Sequence, residues 1–255
     1  LRMFRTGFSE YYTALIKSHM YSPEKEVFKL GSLELARAAI VARDEYGLPV
    51  VGFDLAGEEA GYPADDHIEA FRYAKKNFLK KTVHAGEAYG PESIFQAVTD
   101  LYADRIGHGT YLLDPGSIQD VGIEDPKDYV DKLQQYVADR RITLEICLTS
   151  NMQTNPDMQK ISDHTFRQMR ERRISTTLCT DNRLVSNTTV TRELKLAVDE
   201  LGLDRKGLKS VIVYGFKRSF FPGDYPAKRQ YVRQVIDYYE SIEDKFFGDR
   251  TSTKS

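Results

Sequence analysis

The chain has 255 residues, enough for one or two domains or for a single α/β barrel of about 250 residues. Its 36 Lys and Arg against 38 Asp and Glu leave a formal charge of −2, which offers no electrostatic reason to bind nucleic acid or an anionic membrane. Hydrophobic residues at 41% suit a chain that buries a sizeable core, and no run approaches the ~18 apolar residues of a membrane span.

Two cysteines, Cys147 and Cys179, are too few for a disulfide scaffold. With no Cys-x-x-Cys, neither a zinc finger nor a cysteine-ligated zinc site is expected. A reduced, cytoplasmic setting follows. The chain starts at Leu1 with no signal-peptide pattern, and the expectation is a chain that has lost its beginning.

In chain order, short β-rich runs fall at Tyr12–Ile16, Pro49–Phe53, Lys81–His84, Arg105–Gly107, Ile142–Cys147 and Ile174–Cys179. Each is close to continuously apolar on one or both faces, as in buried parallel strands. Helical patterns lie between them, at Leu33–Glu45, Asp66–Asn77, Pro91–Tyr102, Asp128–Asp139 and Asp163–Arg172. A helical tail follows, at Thr191–Glu200, Lys206–Phe216 and Pro226–Lys245, and Thr251–Ser255 reads as frayed. Alternating strands and helices predict right-handed βαβ units and a parallel sheet. The strands recur about every 32 residues, close to one eighth of a barrel of about 250. Six strands would suit an open doubly wound sheet; a closed barrel needs two more. One domain over residues 1–255 is the simplest organisation.

Chemically useful residues stand where the predicted strands stop. Asp54 to Glu59, His84-Ala85-Gly86-Glu87, His108-Gly109, Thr149-Ser150-Asn151 and Thr180-Asp181-Asn182 follow successive runs. In a barrel these C-terminal ends open onto one face, where active sites are built. His84 and His108 offer imidazoles and Asp181 a carboxylate, a donor set suited to catalytic zinc. Glu87 is placed to shuttle protons beside metal-activated water. Gly57, Gly86 and Gly109 would let backbone approach a ligand. A structural role competes at each position: a lone strand-end histidine is more often a hydrogen-bonded structural residue, and Asp181-Asn182 could form an Asx-turn or helix cap. Their succession at consecutive strand ends favours the functional reading. His67 and His164 fall in helical patterns and are expected to be solvated; His19 has no carboxylate near it in sequence. The cysteines read as core or supporting residues, not nucleophiles.

The segments Phe53 to Glu59, Thr82 to Glu87, Arg105 to Gly109, Leu144 to Cys147 with Ser150-Asn151, and Thr180-Asp181-Asn182 resemble, in order and approximate spacing, the adenosine deaminase family of the metal-dependent amidohydrolases. The resemblance covers residues from about 14 to about 240. It implies a (β/α)₈ barrel, about six strands of which lie in this chain, with one catalytic zinc. It implies hydrolytic deamination of adenosine at C6, giving inosine and ammonia. It assigns His84 and Asp181 as zinc ligands, the latter also holding the attacking hydroxide. It assigns Glu87 to protonate ring N1, and His108 to orient the hydroxide and assist proton transfer. The Gly57 N–H would donate to N3. The combined His-x-Glu and Pro-Cys-x-x-Cys signature of cytidine-type deaminases is absent, since the sequence has no Pro-Cys-x-x-Cys.

Two departures stand out. Asn182 occupies a position that is Asp in many members and that hydrogen-bonds purine N7; its amide NH₂ can donate without a shifted pKa. No His-x-His pair occurs in the sequence, so two further histidine ligands are expected upstream of Leu1, with the first one or two βα units missing. The expected partner is a purine nucleoside, not a nucleic acid or a membrane. Adenine or a modified adenosine stays open as substrate, while AMP is disfavoured by the lack of a clear basic cluster. The competing readings are a different amidohydrolase and an inactive binding relative or truncated fragment.

Overall fold

The computed structural model describes residues 2–4 and 12–248. Six strands form one sheet in the order β1-β2-β3-β4-β5-β6: β1 (Arg2–Phe4), β2 (Gly52–Ala56), β3 (Lys80–Ala85), β4 (Arg105–His108), β5 (Thr143–Ile146) and β6 (Thr176–Leu178). Every neighbouring pair is parallel. A doubly wound sheet reverses its strand order at a switch point. No reversal occurs here, so these are six consecutive strands of a (β/α)₈ barrel.

The strands carry two different faces, because side chains alternate. Phe53, Leu55, Val83, Ala85, Ile106, Leu144 and Ile146 are fully buried in one apolar cluster. Helices cover that face: α2 (Glu24–Asp44), α3 (Ile68–Lys76), α4 (Pro91–Thr99) and α5 (Pro126–Asp139) lie among the first five strands, and α3 and α4 contribute Phe71, Ala74, Ile94 and Ala97 to the cluster, whereas α1 (Thr13–Ser18), ahead of α2, buries no residue. The alternate positions are Asp54 on β2, Thr82 and His84 on β3, and Glu145 on β5. The chemistry sits on this second, polar face.

Local signals fix the helix starts. Asp125 accepts from the Asp128 N–H ahead of Pro126, and Asp204 and Asp224 cap α10 (Arg205–Arg218) and α11 (Tyr225–Phe247) in the same way. After β5 come α6 (Leu148–Thr154) and α7 (Phe166–Glu171), and after β6 come α8 (Arg183–Ser186) and α9 (Val190–Asp199).

The first predicted strand is a correction. Tyr12–Ile16 enters helix α1 at Thr13, and the strand that pairs with β2 is Arg2–Phe4, aligned with Asp54–Ala56. A short apolar run does not distinguish strand from helix. The second correction is α2, which begins at Glu24 and not at Leu33. Its added turns bury Val27 and Phe28, and the Phe28 ring meets Tyr62 edge-on at 6.2 Å. The predicted tail Thr251–Ser255 lies outside the described residues. No helix among the described residues is long and apolar enough to cross a membrane.

Candidate active site

His84, His108 and Asp181 converge from the C-terminal ends of β3, β4 and β6. One potential ligand atom from each lies within 4.8 Å of the others. The two imidazole centroids are 5.2 Å apart. The backbone turns sharply to present these groups: His108 has φ +64° and Asp181 φ +52°, left-handed conformations uncommon outside glycine and concentrated at functional sites.

Each side chain is held from behind. His84 Nδ1 lies 3.0 Å from Leu55 O and 3.2 Å from Asp54 Oδ1. A carbonyl oxygen can only accept, so Nδ1 carries the proton and Nε2 keeps its lone pair. That is the form a metal-binding histidine needs, oriented by a second hydrogen bond. Asp181 Oδ2 accepts from Ser150 Oγ at 2.8 Å. Glu87 Oε2 lies 3.4 Å from His108 Nε2. Burial holds the Glu87 carboxyl above its ordinary pKa; the carboxylates of Asp181 and Glu59 add to this, and His84 opposes it. His84 and Asp181 offer an imidazole nitrogen and a carboxylate, borderline N/O donors of the kind zinc takes, with the His108 imidazole beside them.

The other predicted residues sit at the margin. Gly57, φ +100°, is the first residue beyond β2, where the chain needs a left-handed turn. Asn182 caps α8: its Oδ1 accepts from the Val185 N–H at 3.3 Å. The cap expected as an alternative is therefore real, and it leaves the amide NH₂ out of that bond. The cysteines are not poised as nucleophiles. Burial pushes the Cys179 thiol up to about 12 and raises Cys147 as well.

His67 and His164 overturn the expectation of solvated histidines: they are only 1% and 2% exposed. Helical position says which residues share a face, but not which face is covered by other elements. His164 joins the site's support, since its Nε2 meets Asn151 Oδ1 at 3.2 Å and Asn151 Nδ2 meets His108 Nδ1 at 3.1 Å.

Sequence reasoning also missed two buried carboxylates. Glu59 accepts from the backbone N–H of Gly86, Glu87 and Ala88 at 2.8, 2.9 and 2.7 Å, and from Ser93 Oγ at 2.5 Å. It clasps the loop that carries Glu87. Glu193, fully buried on α9, accepts from the Thr149 N–H, from the Thr149 hydroxyl and from Thr188 Oγ1 at 2.6 Å. It ties the first turn of α6, which carries Ser150 and Asn151, to the segment between α8 and α9. An acidic residue in a loop or on a helix carries no sequence signal that distinguishes such a clasp from a solvated charge.

The family model for adenosine deaminase matches residues 17–238. The chain belongs to the adenosine deaminase family. It is 40% identical over 193 residues to adenosine deaminase 1 of Streptomyces coelicolor, covering 76% of this chain and 47% of that one. It is 37% identical over 205 residues to an adenosine deaminase of Mycolicibacterium gilvum, covering 80% and 54%. The chain thus spans about half the length of the curated relatives it matches. Among solved structures, an Arabidopsis N6-mAMP deaminase superposes with TM-score 0.66 at 29% identity, covering 82% of this chain and 55% of that one. An amidohydrolase from Burkholderia ambifaria with bound Zn superposes with TM-score 0.69 at 18% identity, covering 85% and 56%. That last likeness is one of fold.

Proposed function

We propose that the protein is a zinc-dependent adenosine deaminase, converting adenosine and water to inosine and ammonia. The observation that carries this reading is the meeting of a protonatable Glu87 with His108 beside the His84 and Asp181 donors. Zinc in such a site supplies the Lewis acidity that turns water into a nucleophile near neutral pH. His84, through Nε2, and Asp181 would hold the ion.

The purine ring enters with C6 facing this cluster. Glu87, whose carboxyl burial holds above its ordinary pKa, donates a proton to ring N1 and makes C6 electrophilic. Asp181 accepts the proton of the attacking water, and His108 orients the attacking oxygen. The exocyclic nitrogen takes the proton that Asp181 removed from the water and departs as ammonia, while the remaining O–H proton returns to Glu87 as the C6 carbonyl forms. The Gly57 N–H donates to N3 and the Asn182 amide to N7, both ring acceptors. A single domain over residues 1–255 and a cytoplasmic setting belong to the same reading.

A cavity of about 700 Å³ is lined by Lys75, Lys80, Lys81, Arg140, Arg141 and Lys228 among others. Lys80 and Lys81 open β3 and Arg141 precedes β5, so it lies at the strand N-termini, the end of the sheet opposite the site. It is therefore no part of the substrate site.

The test uses the protein at its full natural length. About one zinc per chain, with ammonia release from adenosine faster than from adenine or N6-methyl-AMP, is the expected result. Zinc without turnover on adenosine would point to another substrate; neither zinc nor turnover would leave a binding relative.

A further inference from the structure

A chain of hydrogen bonds behind His108 has no task in the chemistry above. The Phe166 N–H donates to His164 Nδ1 at 3.0 Å. His164 Nε2 meets Asn151 Oδ1 at 3.2 Å, and Asn151 Nδ2 meets His108 Nδ1 at 3.1 Å. His164, Asn151 and His108 are 2%, 1% and 2% exposed.

The direction of the whole chain follows from its far end. A backbone amide can only donate, so His164 Nδ1 carries no proton. Burial lowers the His164 pKa to about 4, so the ring is neutral, and its one proton is on Nε2, donated to Asn151 Oδ1. The Asn151 amide nitrogen therefore faces His108, and it too can only donate. His108 Nδ1 is left as the acceptor, and its proton resides on Nε2, the nitrogen 3.4 Å from Glu87. His84 holds the opposite tautomer, with its proton on Nδ1 toward Leu55 O.

We infer that His164 and Asn151 are positioning residues that lock His108 in its Nε2–H form. His108 then meets the reacting centre as a hydrogen-bond donor, not as a metal ligand or a proton acceptor. The catalytic consequence rests on the deaminase reading: His108 steadies charge on the attacking oxygen, and proton removal falls to Asp181. The tautomer itself does not depend on that reading.

The experiment is a long-range ¹H–¹⁵N correlation on the full-length protein labelled at histidine, without substrate. His108 and His164 are expected protonated on Nε2, and His84 on Nδ1. Asn151→Asp keeps the shape but offers only acceptors, so the His108 proton moves to Nδ1. His164→Leu frees the Asn151 amide to rotate, giving mixed His108 tautomers, and His164→Gln, which can accept from Phe166 and donate to Asn151, restores Nε2–H. In Asn151→Asp, kcat is expected to fall about 100-fold with KM within about twofold, the scale of one misdirected proton. A His108 proton on Nδ1 in the wild-type protein overturns the lock, as does one that stays on Nε2 in Asn151→Asp. A locked His108 in a protein that deaminates no purine would instead sink the proposed function and leave the lock standing; if His164→Leu does not fold, Asn151→Asp decides alone.

Discussion

At the scale of the residue, the site runs on two groups whose environments set their protonation. Burial, then the charges of Asp181 and Glu59, raise the Glu87 pKa. A carboxyl with a folded pKa above its unfolded value costs stability as pH rises through the unfolded value, and the cost persists above the folded one. Glu87→Gln removes that cost along with the proton. Its turnover is expected to fall at least about 100-fold, while zinc content holds and the melting temperature at neutral pH stays level or rises. Full activity would sink the N1-protonating role. Asp181→Ala removes a donor from the cluster and leaves Ser150 Oγ without its acceptor. It is expected to lose both zinc and turnover in metal analysis and assay; stoichiometric zinc in this variant would contradict the ligand assignment. The histidines divide by what touches them. His84 and His108 announced themselves at strand ends, whereas nothing in the sequence around His164 says that it is buried against Asn151.

At the scale of the element, short strands deliver the chemistry and buried carboxylates hold the loops in place. Glu59 satisfies three successive N–H groups on the loop carrying Glu87. Orphaning buried donors costs about 1–3 kcal/mol each, so Glu59→Ala should lose about 3 kcal/mol or more in denaturant unfolding. Its kcat should drop more than its KM rises, because the loop carrying Glu87 loses its mooring. A variant as stable and active as the parent would mean that the loop holds itself. Strands β2 to β6 and helices α3, α4, α5 and α7 were legible because apolar residues recur at strand and helix spacing, whereas α6, read as a strand end, was not. The start of the chain was not: Tyr12–Ile16 and the first turns of α2 are apolar enough for either structure, and packing against β2 and Tyr62 chose.

At the scale of the whole molecule, the donors belong to β3 and β6, the second of which is an edge of the described sheet. A metal held between them ties strands that, among the described residues, the sheet joins only through β4 and β5. Ligand at 1,000 times its Kd stabilises by about 4 kcal/mol. At about 2–4 °C per kcal/mol for a chain of this size, removal of zinc by a chelator should lower the melting temperature by roughly 8–16 °C in calorimetry, reversed by zinc and not by magnesium. No shift on chelation would mean that the cluster holds no structural metal load.

The sequence by itself determined the alternation of strands and helices, and with it the parallel sheet. It also determined the run of His, Glu and Asp at successive strand ends, because period, caps and strand-end position are local properties of the chain. Only the tertiary structure decided which groups meet. Burial of His67 and His164, the clasps of Glu59 and Glu193, and the proton position on His108 all depend on partners far away in the chain, whose approach is set by how strands and helices pack. A tautomer is the extreme case. It is fixed by which neighbour can only donate and which can only accept, and no single residue carries that information.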